Sequence, residues 1–168
     1  MHCNKLNPLF IMYFFNVKLL KEIYVVCGFK SAAQFIKDYP YSYVFWYKSR
    51  DREDMRLCHL LKICEQYKLN PFIFFMHPKK KMQQLHTNST FHPLWQDQNY
   101  IMLPDGTIKT FMDMFDFVPY QKRRRLLRAN EEEESTMNVS HFLHAINTYD
   151  LRPEDLILPD EQEKKTYR

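Results

Sequence analysis

The stretch that most constrains the fold is residues 100–128, YIMLPDGTIKTFMDMFDFVPYQKRRRLLR. Two runs of β-compatible residues, 100–103 and 107–111, flank Pro104, Asp105 and Gly106. Asp-Gly is a strong tight-turn signal because glycine tolerates positive φ, so a β-hairpin is predicted. An apolar helical segment over 111–117 comes next. It breaks at Val118-Pro119-Tyr120, where Pro119 can open a second helix because its missing N–H costs nothing in a first turn. That second helix is predicted over 121–128, with no acidic residue among its basic ones.

On a helical wheel Leu126 and Leu127 define the apolar face of this segment. Gln121, Arg124, Arg125 and Arg128 fall opposite, at spacings of three and four, and Lys122 adds to the same charge run. Guanidinium groups in such a row can pair with phosphates and with a guanine edge. A solvated basic face is the competing reading of any charge run.

The chain has 168 residues, which suits one domain or two small ones. It is 45% hydrophobic and 26% charged, the balance of a folded rather than a disordered chain. Aromatic residues reach 16%, which is high; most must be core, and exposed ones could stack on bases or a partner. Its 2 glycines exclude a glycine-rich phosphate loop, and with it the P-loop and dinucleotide-binding enzyme classes. The net charge of +4 permits nucleic-acid binding without demanding it. Four cysteines (Cys3, Cys27, Cys58, Cys64) form no C-x-x-C pair, and no secretion signal is recognised. The apolar run 9–15 is far short of a bilayer span. The expectation is a reducing cytoplasmic compartment with no membrane association.

Along the chain, residues 1–15 read as an edge strand or a partner-binding arm. Asn16 is expected to cap a helix running to Val26, with Val17, Leu20, Ile23, Tyr24 and Cys27 on one face and Gly28 as its stop. Ser31 and Gln34 have capping-box spacing for a helix that buries Phe35, Ile36 and Tyr39 and ends at Pro40. Residues 41–47 (YSYVFWY) fit either a strand or a helix. Ser49 or Asp51 is expected to start a helix to about Tyr67, with Leu57, Leu60, Leu61 and Cys64 as its stripe. Residues 72–76 read as a short buried strand or a helix-packing segment. The polar stretch 77–99, with a second basic cluster at 79–81, reads as a loop or linker. An acidic run at 131–134 precedes a helix capped by Asn138 or Ser140, with Phe142, Leu143, Ile146 and Tyr149 inward. Arg152-Pro153-Glu154-Asp155 suits a short last helical turn, and 161–168 a frayed tail. The domain reading is a helical module over 1–78, a linker or loop over 79–98, a hairpin plus helix-turn-helix-like module over 99–150, and a terminal turn and tail over 151–168.

Residues 29–60 read FKSAAQFIKDYPYSYVFWYKSRDREDMRLCHL, with Lys30-Ser31, Phe35, Tyr39-Pro40, Tyr43 and a closing Cys58-His59-Leu60. Residues 100–127 read strand, Asp-Gly turn and helix pair. Both stretches resemble the small modular helix-turn-helix DNA-binding repeats associated with phage and organellar homing endonucleases. The resemblance implies DNA contact by Gln121, Arg124, Arg125 and Arg128 in the second stretch. In the first it implies contact by Lys30 and Ser31 near a helix N-terminus, with Lys48 and Arg50. No GIY-YIG, LAGLIDADG or H-N-H pattern accompanies it, so it implies binding rather than cleavage. The modules place an apolar residue where Arg123 stands, so Arg123 is expected to snorkel or to pair with an acid.

Other constellations are weaker. Cys58, His59, Cys64, His77, His86 and His92 are zinc-ligand types without zinc-knuckle spacing. His141 and His144 share a helix face. Cys58 and His59 are sequence neighbours, which do not face each other on a helix. Asp105, Asp113 and Asp116 are the carboxylates a metal-dependent nuclease would need, but Asp113 and Asp116 read better as exposed helix positions.

The expected fold is α+β and mostly helical, with a redox-inert thioredoxin-like α/β unit as the alternative. The expected function is non-enzymatic nucleic-acid binding, with duplex DNA as partner and no cofactor or metal. The alternative is a viral or phage host-interaction protein that binds a host protein through aromatic and charged patches.

Overall fold

The computed structural model describes residues 12–38, 55–128 and 135–160. Lys48, Arg50, the ambiguous run 41–47, the acidic run 131–134 and the tail 161–168 lie outside the described residues. So do both predicted starts of the helix before Tyr67, Ser49 and Asp51.

The chain begins with β1 (Phe14–Phe15). Asn16 caps α1 (Val17–Lys21) as expected, its Oδ1 accepting the Leu19 N–H at 3.1 Å. The helix predicted through Val26 is interrupted at Glu22, whose backbone leaves helical geometry, and resumes as α2 (Ile23–Val26). β-branched Ile23, Val25 and Val26 are poor helix formers, so little opposes the break. Gly28 stops the segment at φ +86°. Ser31 Oγ then accepts the Gln34 N–H, and Gln34 Oε1 reaches back to the Lys30 N–H, both at 3.3 Å. The Ser31 half is as predicted, while Gln34 reaches one residue past the cap, and the pair opens α3 (Ala32–Asp38) with Phe35 buried.

Helix α4 (Leu57–Tyr67) starts later than predicted, because the residues before it are extended. The Leu57 N–H donates to the Met137 carbonyl at 2.8 Å and the Val139 N–H to the Met55 carbonyl at 2.7 Å. That bridge ties the starts of two helices together and leaves residues 55 and 56 unavailable to α4. Its buried stripe is Leu57, Leu60, Ile63 and Cys64; Leu61 sits half-buried at the stripe's edge. Residues Pro71–Phe74 form a 3-10 turn and Phe75–Met76 form β2, so the strand predicted over 72–76 is reduced to its last two residues. Pro71 fixes φ, and Asn70 Oδ1 accepts the Phe72 N–H at 3.1 Å, which commits the chain to a turn first.

The stretch read as a linker, 79–98, carries structure. It contains β3 (Phe91–Pro93) and a 3-10 turn, Leu94–Gln96, with Leu94 and Trp95 buried. Trp95 packs edge-on against Phe111 and Phe115, with centroids 5.9 Å and 6.0 Å away. The hairpin follows as predicted: β4 (Tyr100–Met102) and β5 (Ile108–Thr110), with Ile101 opposite Lys109. Then come α5 (Phe111–Met114), α6 (Tyr120–Leu126) and α7 (Val139–Thr148). Pro153 opens α8 (Pro153–Leu156) as expected, with Asp155 Oδ2 accepting the Arg152 N–H at 2.8 Å. Within the stretch read as a terminal turn and tail, Ile157–Pro159 form a strand, β6.

Among the described residues there are eight short helices and three two-stranded antiparallel ribbons: β1 with β2, β3 with β6, and β4 with β5. The coarse expectation of a mostly helical α+β fold agrees with this. The described strands do not join into the one mixed sheet that the α/β alternative calls for. Ribbon β1–β2 is held from the side by α7. Asn147 Oδ1 accepts the Tyr13 N–H at 2.8 Å and Asn147 Nδ2 donates to the Tyr13 carbonyl at 2.9 Å, so one amide side chain serves as a strand partner. Phe35, Ile63, Phe74, Trp95, Phe115, Phe142 and Leu156 belong to one buried cluster. The described parts of 1–78 and 99–150 therefore share a core, reached through 79–98.

Candidate nucleic-acid interface

The interface candidate is built on the hairpin and the two helices after it. Asp105 Oδ1 accepts the Thr107 N–H at 2.9 Å and the Thr107 hydroxyl, and Gly106 sits at φ +87°. Those hydrogen bonds from Thr107 hold the Asp105 carboxyl below its ordinary range. Thr110 then caps α5, its Oγ1 accepting the Asp113 N–H at 3.2 Å. Phe111, Met114 and Phe115 are buried, which fixes α5 to the core. Met114 ends α5 short of the predicted 117, because Phe115 leaves helical geometry. Phe117 instead lies against α7, its ring 4.0 Å from that of His144 and 6.4 Å from that of His141.

Pro119 is the N-cap of α6 rather than a first-turn residue, so the helix starts at Tyr120, one residue before the predicted 121. Leu126 is buried and Leu127 half-buried, so the predicted apolar face does point inward. Gln121, Lys122, Arg124 and Arg125 are exposed along the helix. Arg128 is exposed too, but it stands beyond the helix end at Leu126. No ion pair involves Lys122, Arg124 or Arg125 among the described residues.

Arg123 behaves differently from its neighbours. Its Nε donates to the Val118 carbonyl at 2.7 Å, Nη1 to Met112 at 3.2 Å and Nη2 to Asp116 at 3.1 Å. These carbonyls belong to the end of α5 and the turn after it, where helix geometry leaves acceptors without N–H partners. The side chain thus satisfies orphan carbonyls, not the acid that sequence reasoning offered it. The other end of α6 is also fastened. The Thr136 N–H donates to the Arg125 carbonyl at 3.1 Å, and the Ser135 hydroxyl donates to the Leu126 carbonyl. The exposed cations are therefore mounted on a short helix tied at both ends.

Two further basic residues are drawn into the structure. Lys80, the middle of the 79–81 cluster, donates through Nζ to the Phe72 and Phe75 carbonyls. Burial pushes its pKa down, with Glu154 pulling the other way. Lys109 donates to the Tyr149 hydroxyl at 2.9 Å and lies 4.6 Å from that ring's centroid.

The first-stretch candidates sit elsewhere. α3 packs through Phe35 against Phe29 and Tyr67, whereas α6 is bound to α5. Ser31 Oγ and the Lys30 N–H are both engaged by Gln34. Lys30 itself is exposed.

The Cys58 thiol donates to the Ser135 carbonyl at 3.7 Å. Burial pushes the Cys64 thiol up, and burial, then Asp38, pushes Cys27 up to about 12, so neither is a thiolate at neutral pH. Asp113 and Asp116 are exposed, as expected for helix-surface positions. Among the described residues no group of three His, Cys, Asp or Glu side chains is arranged to hold a metal ion. Nor is any helix among them long and apolar enough to cross a membrane. His92, one of the zinc-ligand types, lies between two carboxylates, Nδ1 2.5 Å from Asp160 Oδ1 and Nε2 2.6 Å from Asp97 Oδ2. No sequence signal linked these three.

Comparison with protein-family models, curated proteins and solved structures finds no match to the chain.

Proposed function

We propose that the protein binds nucleic acid, without catalysis, through the exposed basic face of α6. The observation that carries this reading is the division of labour within one run. Arg123 is spent on carbonyls, while Lys122, Arg124 and Arg125 are exposed on a helix tied at both ends. Cations on a fixed support meet phosphates with little ordering cost, and counterion release then supplies most of the affinity. Gln121 adds a neutral donor and acceptor beside them. The order hairpin, α5, α6 is the one expected of the helix-turn-helix-like half, with a first helix of a single turn.

The outer face of the hairpin favours a second reading, as a protein-binding module. Tyr100, Met102 and Ile108 are 55%, 66% and 61% exposed and lie on the same side of the ribbon, since strand neighbours alternate faces. Such a face suits an apolar partner surface.

Two paired variants separate these readings. Arg124→Glu with Arg125→Glu is expected to abolish binding of a labelled oligonucleotide at low salt, and Tyr100→Ser with Ile108→Ser to leave it unchanged. A parent that does not bind the oligonucleotide at low salt would overturn the first reading and leave the hairpin face as the protein-binding candidate.

A further inference from the structure

We infer that the nucleic acid taken by this surface is single-stranded, and that the Tyr120 ring is the platform on which one base stacks. This rests on the basic-face reading above and specifies its ligand.

Tyr120 is the first residue of α6 and is 61% exposed, although its ring is not isolated. The Arg123 guanidinium carbon lies 5.8 Å from the ring centroid, within cation–π range. That guanidinium is itself held by the carbonyls of Val118, Met112 and Asp116. A large exposed ring is thereby backed by a cation that cannot swing away. Arg124 follows four residues later, so the open ring and an exposed guanidinium lie one above the other on the helix. Neighbouring Cβ atoms at that spacing are about 5–6 Å apart, close to the reach between a base and its own phosphate. The ring can take the base while Arg124, with Arg125 or Lys122 beside it, takes the phosphate. Alternation of aromatic rings and cations is how sequence-tolerant single-strand sites work.

A duplex fits the same surface less well. Its bases are paired and stacked, so no π-face is open to Tyr120. The seven residues of α6 span only about 10 Å. A helix laid in a major groove offers its N-terminal residues to the base edges. Here those positions hold Pro119, Tyr120 and Gln121, and the nearest arginine is turned inward. Phe117, also partly exposed, is no second platform because its ring is on His144.

The test uses the whole chain and labelled oligothymidine of about 15 nucleotides, near the upper single-site size, beside a duplex of equal length. The single strand is expected to bind more tightly than the duplex. Tyr120→Ala should weaken single-strand binding about 5- to 150-fold, the range for losing one stacked base. Tyr120→Phe should stay within about threefold, since it keeps the π-face. Tyr120→Leu, which keeps bulk without a π-face, should behave like alanine. The salt dependence should stay unchanged in all three, because no phosphate contact is removed. A duplex bound as tightly as the single strand would overturn the inference while leaving the basic-face reading intact. So would a Tyr120→Ala variant that binds oligothymidine as the parent does. Absence of binding to both ligands at low salt would overturn the two together.

Discussion

Arg123 donates from Nε to the Val118 carbonyl at 2.7 Å, so an arginine in the middle of an exposed basic run faces the protein rather than the solvent. With its bonds to Met112 and Asp116 it closes the α5 end and the turn leading into α6. Arg123→Ala leaves those half-buried carbonyls without a charged donor and is expected to cost about 2–3 kcal/mol. Arg124→Ala, one residue along and exposed, should stay within about 0.5 kcal/mol. Urea unfolding of the two variants measures this. Equal, small losses would mean that Arg123 is not a clamp.

Trp95 decides between a linker and a core segment. It is 7% exposed and packs on Phe111 and Phe115. Trp95→Ala is therefore expected to lower stability by about 3–5 kcal/mol, the cost of emptying a large core site. In a linker the same change would cost under about 0.5 kcal/mol. Thermal melts followed by circular dichroism distinguish the two.

His92 joins β3 to both the following turn and β6, through Asp97 and Asp160, and Thr90 donates its hydroxyl to Asp160 as well. Burial pulls the imidazole pKa down, but the hydrogen bonds to the two carboxylates outweigh it and leave the folded-state value raised. The protonated ring is thus the form that holds the clasp. Its contribution is complete below the unfolded value, about 6.5, and fades as pH rises through the higher folded value. Urea midpoints measured from pH ~5.5 to ~8.5 should fall over that window. In His92→Gln this part of the fall should vanish. A parent protein that gains stability across the window relative to His92→Gln would contradict the clasp.

What the sequence revealed here was mostly local chemistry. Asn16, Ser31 and Thr110 cap their helices through side-chain oxygens within three residues, and Asp105-Gly106 closes its turn inside the hairpin. Asn16, Ser31 and the Asp-Gly turn were read in advance because their partners are near in sequence. The β3–β6 ribbon was not, since His92 and Asp160 are separated by 68 positions and neither flank is strongly strand-like. Trp95 was lost in a polar stretch whose composition says nothing about one large ring. The basic runs misled for a related reason. Charge reads as exposure, yet Lys80 and Arg123 are drawn inward by backbone carbonyls that only tertiary structure places beside them. The exposed members, Gln121, Lys122, Arg124, Arg125 and Arg128, were legible as a run. Arg123 stood apart from them only through the resemblance, which places an apolar residue there; its carbonyl partners were not legible.

The most direct test of nucleic-acid binding is the salt dependence of oligonucleotide affinity, for the parent and for the triple variant Lys122→Ala, Arg124→Ala, Arg125→Ala. Log affinity is expected to fall linearly with log salt for the parent. In the triple variant, folded like the parent, the slope should shrink by about 2, the share of three phosphate contacts on a single strand. Low-salt affinity should drop by at least about tenfold. A parent that does not bind at low salt, or a variant with the parent's slope, would contradict the assignment of phosphate contact to this helix.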